Sequence, residues 1–113
     1  MRWEAQHHGE GSDRRSAIEI LFEMLSVCSN GGVNKTAIMY LSNLSYDQLL
    51  RYLNFMCSNN LVTQNSTTGH YHITNKGRDT LEQVEGVINL LRDLQMEEED
   101  REAKAVKRPL RVL

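Results

Sequence analysis

Residues 45–58 have the sequence Ser-Tyr-Asp-Gln-Leu-Leu-Arg-Tyr-Leu-Asn-Phe-Met-Cys-Ser, which predicts a short amphipathic helix. Ser45 stands three residues before Gln48, and this is the spacing of a capping box, in which each side chain bonds the backbone amide of the other residue. One face carries an apolar stripe at helical spacing, formed by Leu49, Tyr52, Leu53 and Met56. The opposite face is polar and carries Asp47, Gln48, Arg51 and Asn54.

A helix is also predicted upstream of these residues, where apolar side chains first recur along the chain. Apolar side chains recur at helical spacing over residues 18–28, and Ser12 or Asp13 is the expected N-cap. Residues 29–32 (Ser-Asn-Gly-Gly) form a strong stop signal. We therefore expect the first helix to end at residue 28.

A second helix and a tight turn separate the first helix from residues 45–58. Asn34 is a good N-cap for a helix over residues 35–41 or 35–42. Asn43 suits a turn that needs a left-handed residue, because asparagine tolerates this conformation better than other non-glycine residues. Leu44 beside it can be buried as a plug. Three helices with a tight turn between the last two predict a helix-turn-helix unit, with residues 45–58 as its recognition helix.

After the third helix the apolar pattern changes to the alternation of strands. Residues 61–64 (Leu-Val-Thr-Gln) and 70–73 (His-Tyr-His-Ile) flank a turn cluster at residues 65–69, which predicts a β-hairpin. Tyr71 and Ile73 share one face, and the two histidines share the other. A hairpin in this position is the wing of a winged helix. The predicted fold is mainly α (α+β), a winged helix-turn-helix with a two-stranded wing and a long C-terminal dimerisation helix.

The last predicted helix begins after Thr74 and carries more apolar surface than a small domain can cover. A helix of about 25 residues is about 37 Å long, and an exposed stripe of this size is unusual in monomers. We expect pairing with the same helix of a second copy. The alternative is that the helix folds back on the first helix of its own head. The expected dimer contacts are Leu81, Val84, Val87, Ile88, Leu91 and Leu94.

These elements divide the chain into four parts. Residues 1–11 lack periodicity and form an expected disordered tail, residues 12–80 form the winged helix-turn-helix domain, and residues 81–102 form the dimerisation helix. Residues 97–100 are acidic and end the apolar seam, so residues 103–113 are expected to be a flexible basic tail.

Composition limits the possible functions. The 113 residues carry a formal net charge of −2, and up to residue 80 seven bases balance seven acids. This balance argues against a strong non-specific nucleic-acid binder. No apolar run approaches the length of a membrane span, which predicts a cytoplasmic protein. Cys28 and Cys57 lie within predicted helices and are expected to be small buried hydrophobes. Neither the adjacent histidines at 7 and 8 nor any other residues suggest a metal or cofactor site.

Several runs resemble those of a known family. Residues 31–40 (GGVNKTAIMY), 44–49 (LSYDQL) and 71–77 (YHITNKG) are similar to those of archaeal winged helix-turn-helix proteins, in particular the ArnR-like domain and the small ten-a type DNA-binding proteins. The resemblance covers residues 14 to 94. It implies a C-terminal helix that pairs as an antiparallel coiled coil, double-stranded DNA as the ligand, and a role in transcription or chromosome organisation.

The expected function is that of a dimeric, sequence-reading DNA-binding protein associated with the nucleoid, most simply a transcriptional regulator. Gln48 suits adenine and Arg51 suits guanine in the major groove. Tyr46 at the start of the recognition helix suits a phosphate, or else packs beneath the helix. The full set of expected DNA contacts is Arg14, Arg15, Lys35, Thr36, Ser45, Tyr46, Gln48, Arg51, Asn54, Ser66, Thr67, His70 and Lys76.

The sequence also bears on three other functions. A winged helix can bind a protein through the same surface, and the near-neutral head fits that alternative. An architectural chromatin protein is disfavoured by the acidic balance. An enzyme is not expected, because no nucleophile–base pair, phosphate-binding loop or metal-ligand cluster occurs at a useful spacing.

Overall fold

The computed structural model describes residues 15–112, with side chains from 15 to 103, and the described residues form six elements around one core. The N-terminal tail, Arg14 and the caps expected at Ser12 or Asp13 lie outside the described residues. In chain order the elements are α1 (Ala17–Cys28), α2 (Lys35–Leu41), α3 (Tyr46–Ser58), the hairpin strands β1 (Val62–Gln64) and β2 (Tyr71–Ile73), and α4 (Asn75–Val112).

Helix α1 begins later than the sequence predicted. Its N-cap is Ser16, whose hydroxyl accepts from the Glu19 amide while the Glu19 carboxylate accepts from the Ser16 amide. The expected cap at Ser12 or Asp13 is therefore wrong. A complete capping box satisfies two amides at once, which makes Ser16 the better start than an isolated cap upstream.

The helix-turn-helix turn agrees with the prediction. Asn43 has φ 55°, the left-handed conformation that the turn requires, and Leu44 is buried with 9% of its surface exposed. Asn34 caps α2, and Ser45 caps α3 through its reciprocal bonds with Gln48. The reading helix is thus fixed at its N-terminus by both a cap and a plugged turn.

The turn offers a test of local backbone strain. Replacing Asn43 with alanine is expected to lower the free energy of unfolding by about 1 kcal/mol, because a Cβ without a local polar partner is disfavoured at positive φ. Asn43→Gly is expected to be near neutral, because glycine adopts this conformation freely. Urea unfolding of both variants measures the difference. Equal losses in the two variants would mean that the asparagine side chain, and not its backbone conformation, stabilises the turn.

The core lies where the three head helices meet the wing. Its fully buried members are apolar side chains of α1, α2 and α3, chiefly Met24, Leu25, Ile38, Leu49 and Met56. Cys28 belongs to this core, as predicted, whereas Cys57 is only half-buried; both thiols are free. Burial, helped by the neighbouring Cys57, raises the pKa of the Cys28 thiol to about 11. Cys28 is therefore protonated at neutral pH and acts as a packing residue.

The wing is a two-stranded antiparallel hairpin in which Val62 pairs with Ile73 and Gln64 with Tyr71. Tyr71 is buried and Ile73 half-buried on the inner face, as predicted. A third short contact was not predicted: Val33 exchanges two backbone hydrogen bonds with Tyr71, at 3.1 and 2.7 Å. A bridge formed by one residue is too short to show the alternation of apolar and polar side chains that predicts a strand. This bridge ties the wing to the loop before the helix-turn-helix.

The wing and the long helix meet at a crowded junction. Thr74 caps α4, since its hydroxyl accepts from the Gly77 amide at 2.9 Å, and it donates to the Asn60 carbonyl at 2.6 Å. Gly77 is buried against β1: an ideal Cβ there would lie 2.1 Å from the Leu61 carbonyl oxygen and 2.7 Å from Cγ1 of Ile73. Only glycine allows the helix to pass this close to the strand.

The apolar stripe of α4 divides between two roles. Val84 and Ile88 are only 8% and 3% exposed, and Leu81 packs against the core, because α4 lies along α1 of its own head. The prediction that these three residues contact a partner chain is therefore wrong. For this part of α4 the alternative holds, in which the helix folds back on the first helix of its own head. The stripe beyond them is uncovered in the single chain. Its exposed apolar side chains, which we call the α4 stripe, are Val87, Leu90, Leu91 and Leu94.

Helix α4 also extends further than expected. The sequence predicts that the helix ends near residue 102 and that a flexible tail follows, but the helix continues to Val112. Residues 97–105 are almost all strong helix formers, so the acidic block interrupts the apolar stripe without ending the helix.

Candidate nucleic-acid interface

Helix α3 presents a mixed polar and aromatic face to solvent. Tyr46, Asp47, Arg51 and Asn54 are all exposed, and 59% of the Tyr46 surface is accessible. Tyr46 therefore does not pack beneath the helix, and its hydroxyl is available at the helix N-terminus. Leu50 is not among the predicted contacts. It is half-buried and lies one turn from both Tyr46 and Asn54, so it belongs to the same face.

Gln48 does not belong to this face, contrary to the prediction. It is buried, with 9% of its surface exposed, and its Oε1 accepts from the Ser45 amide at 3.1 Å. The capping role predicted for this side chain is confirmed, but its assignment to base reading is corrected. On the helix Gln48 borders the apolar stripe, and packing of α3 against the rest of the head draws it inside. Arg51 and Asn54 remain the exposed polar side chains suited to a groove.

Arg15 supports the helix-turn-helix turn from outside. Its guanidinium donates to the Ser42 carbonyl and to the Asn43 carbonyl, both at 2.8 Å, and it forms an ion pair with Glu23. Through these bonds the guanidinium holds the turn in position. A phosphate contact by Arg15 was expected, and the structure places the side chain half-buried in protein contacts instead. Arg14 lies outside the described residues.

Two cations stand near helix starts. Lys35 and Thr36 are exposed in the first turn of α2, where Asn34 already caps the Ala37 amide at 2.7 Å. Lys76 is exposed in the first turn of α4. A helix N-terminus attracts anions through its free amides and dipole, so these positions suit phosphate oxygens.

The wing tip is a compact turn organised by Asn65. Its side chain accepts from the amides of Thr67 and Thr68, at 2.8 and 3.0 Å, and its backbone carbonyl accepts from the Gly69 amide at 2.7 Å. Ser66 and Thr67 are exposed at this tip, whereas His70 is half-buried at its base. The hydroxyls are therefore the more accessible candidates for a backbone contact.

Charge is distributed unevenly over the interface. A polar depression of about 380 Å³ beside α3 brings Arg15, Ser45, Gln48 and Arg51 together with the exposed acid Asp47. Asp47 and Arg51 are one turn apart on α3, so the positive potential is interrupted at the N-terminal end of the helix. Among the described residues that line this depression there is no Lys35, no Asn54 and no residue of the wing tip.

Metal sites and membrane spans are two other features that the described residues could contain. Between residues 15 and 112, no three histidine, cysteine or acidic side chains come together in an arrangement that could bind a metal ion. None of the helices in that region combines the length and the hydrophobicity needed to span a bilayer.

Known proteins resemble this chain in sequence and in fold. An uncharacterized protein of Methanocaldococcus jannaschii is 35% identical over 80 residues, which cover 71% of this chain but only 37% of that relative's length. The DNA-binding protein Sso10a-2 from Sulfolobus solfataricus has a TM-score of 0.70 at 23% identity, over 76% of this chain and 92% of its own. A MarR family transcriptional regulator from Silicibacter pomeroyi has a TM-score of 0.53 at 19% identity, over 76% and 63%.

The turn held by Asn43, the hairpin after α3 and the long C-terminal helix are those of a winged helix, and the resemblance to archaeal winged helix-turn-helix proteins stated above is confirmed. The family model for the winged helix-turn-helix matches residues 14–92. This chain belongs to the winged helix-turn-helix family.

Proposed function

We propose that this protein is a dimeric regulator of transcription in the cytoplasm of an archaeon that reads double-stranded DNA through α3. The observation that carries the proposal is the exposed face of α3, where Arg51 and Asn54 follow a turn fixed by Asn43. Membership of the winged helix-turn-helix family and the similar fold of the DNA-binding protein Sso10a-2 support this proposal.

In this proposal α3 enters the major groove with its N-terminus toward a phosphate. Arg51 donates to the two acceptors of a guanine, and this pairing is worth about 1–3 kcal/mol of discrimination against another base. Leu50 lies on the same face and offers an apolar contact to a thymine methyl group. The Tyr46 hydroxyl, Lys35 and the wing-tip hydroxyls contact the backbone and set the register.

The α4 stripe supports the dimeric part of the proposal. Leu90 and Leu94 are one turn apart and are 70% and 52% exposed, and Met96 extends the apolar surface at 66%. Pairing of two α4 helices covers this surface and presents two reading heads on one rod. Two heads bound to one duplex add avidity without any new contact.

A salt titration of binding to duplex DNA tests the reading head. Arg51→Ala is expected to weaken binding about tenfold, within the range for one groove contact. Lys35→Ala is expected to lower the slope of log affinity against log salt by about 1, as for a lost phosphate contact. Fluorescence anisotropy of a labelled duplex measures both. The matched control is Arg101→Ala, which removes the same charge from an exposed position on α4 outside the proposed contacts.

The outcomes separate the competing functions. Weaker binding in both head variants and unchanged binding in the control support a DNA-reading head. If the wild type does not bind DNA at low salt, the proposal is wrong and a protein ligand becomes the better candidate for this face. The exposed Asp47 beside Arg51 is the observation that favours this second candidate, because an acid interrupts the positive surface that DNA prefers.

A further inference from the structure

An apolar groove separates the reading helix from the long helix. It encloses about 400 Å³ and lies beside the depression described above, on the far side of Arg51 and Tyr52. This volume is within the range of pockets that bind small molecules, which is about 300–1,000 Å³. The head contributes one wall from α1 and one from α3, and Val84 of α4 completes the lining. The side chains that line it besides Val84 are Ala17, Ile18, Leu21, Arg51, Tyr52 and Phe55.

The walls are suited to a flat apolar body. Phe55 is 51% exposed although it is a large aromatic residue, and it lines this groove. Tyr52 is half-buried next to it. Two aromatic rings beside aliphatic side chains favour an aromatic ligand, because ring pairs gain about 0.5–1.5 kcal/mol beyond simple burial.

Among the described residues that line the groove, Arg51 is the single cation. Its guanidinium carbon lies 5.8 Å from the centroid of the Tyr52 ring, so the charge stands at the edge of the apolar walls. Within the part of the chain that the structure describes, Arg51 forms no ion pair. An apolar helix seated here would bury this charge without a partner, which is unfavourable. An anion on the ligand removes that cost.

We propose that this groove binds a small amphipathic anion, an aromatic carboxylate or sulfonate whose ring lies between the walls and whose anionic group accepts from Arg51. Charge complementarity at Arg51 and the aromatic walls favour this occupant over a segment of a second copy. The regulatory consequence rests on the proposed DNA-binding function: a ligand that occupies Arg51 competes with guanine for the same guanidinium. Binding of the anion is therefore expected to weaken DNA binding.

A matched pair of fluorescent probes tests the site without DNA. The probes are 1-anilinonaphthalene-8-sulfonate, which carries an anion, and N-phenyl-1-naphthylamine, which has the same aromatic body without it. Saturable binding of both is expected in the full chain. Arg51→Met is expected to weaken the sulfonate probe about tenfold, as for loss of a hydrogen bond to a charged group, and to leave the neutral probe unchanged. Phe55→Ser is expected to weaken both probes.

Two controls distinguish the groove from other apolar surfaces. Arg101→Met removes a distant cation and is expected to change neither probe. Tyr40→Ser removes an exposed aromatic side chain of α2 outside the groove lining and is also expected to change neither. Equal weakening of both probes by Arg51→Met, or loss of binding in Tyr40→Ser with none in Phe55→Ser, would overturn the proposal. Probe binding by the dimer but not by the monomer would mean that the partner chain forms part of the binding site, and this result would also overturn the proposal.

The coupling is measured separately. The sulfonate probe is expected to lower the apparent affinity for DNA, and the decrease is expected to grow with the fraction of Arg51 side chains that the probe occupies. The neutral probe is expected to lower the affinity for DNA less. If DNA binding fails in the absence of any probe, the proposed function is wrong while the site is still judged by the two probes alone. If DNA binds normally and the sulfonate probe does not weaken it, the site and DNA do not share Arg51 and the coupling is overturned.

Discussion

Gly77→Ala is expected to lower the free energy of unfolding by about 2 kcal/mol or more. The added methyl group would stand 2.1 Å from the Leu61 carbonyl oxygen and 2.7 Å from Cγ1 of Ile73, which is far inside van der Waals contact. Overpacking a well-filled site costs about 1–3 kcal/mol. The obstacle is backbone, so it cannot rotate aside, and α4 must move away from β1. The shift also weakens the bonds of Thr74 to Asn60 and Leu61.

Gly86→Ala is the matched control for this prediction. Gly86 lies in the same helix, and nothing is within 4 Å of the position its Cβ would take. Alanine there is expected to raise the free energy of unfolding by about 0.5–1 kcal/mol, because it is the better helix former. Thermal unfolding of the two variants at one protein concentration should therefore move the midpoint in opposite directions, by about 4–8 °C per kcal/mol. Stabilisation by both substitutions would show that α4 is not held against the strand at Gly77.

The local structure of the head follows closely from its sequence. The capping box at Ser45, the left-handed Asn43, the plug at Leu44 and the hairpin over residues 62–73 each depend on a few neighbouring residues. Such features are governed by short-range sterics and hydrogen bonding, so the sequence predicts them well.

Features that depend on distant packing were not predictable in the same way. Gln48 borders the apolar stripe of α3, and only the packing of the other helices decides that it is buried. The apolar stripe of α4 has one continuous pattern from Leu81 to Leu94. The first part of this pattern packs on the head, and the rest forms the exposed α4 stripe. The point of division depends on where α1 stops contacting α4, and no residue in α4 marks that point.

The α4 stripe leads to the second large prediction, which concerns assembly and DNA affinity together. The double variant Leu90→Glu/Leu94→Glu is expected to be monomeric, because two carboxylates in an apolar helix pair would be buried without partners. Both side chains are more than half exposed in the single chain, so the head is expected to keep its fold. Affinity for a duplex carrying two sites is expected to fall about a hundredfold, since the avidity of two linked heads is about 10²–10⁴.

A second double variant separates loss of pairing from added charge. Gln83→Glu/Asn89→Glu introduces the same two negative charges at exposed polar positions of α4. Sedimentation velocity is expected to give a dimer for this control and a monomer for the stripe variant. Electrostatic repulsion from DNA is similar in the two proteins, so the difference between their affinities measures the contribution of pairing. A stripe variant that is monomeric but binds the two-site duplex as tightly as the control would mean that each head acts alone, and a stripe variant that is still dimeric would place the dimer contact elsewhere on the molecule.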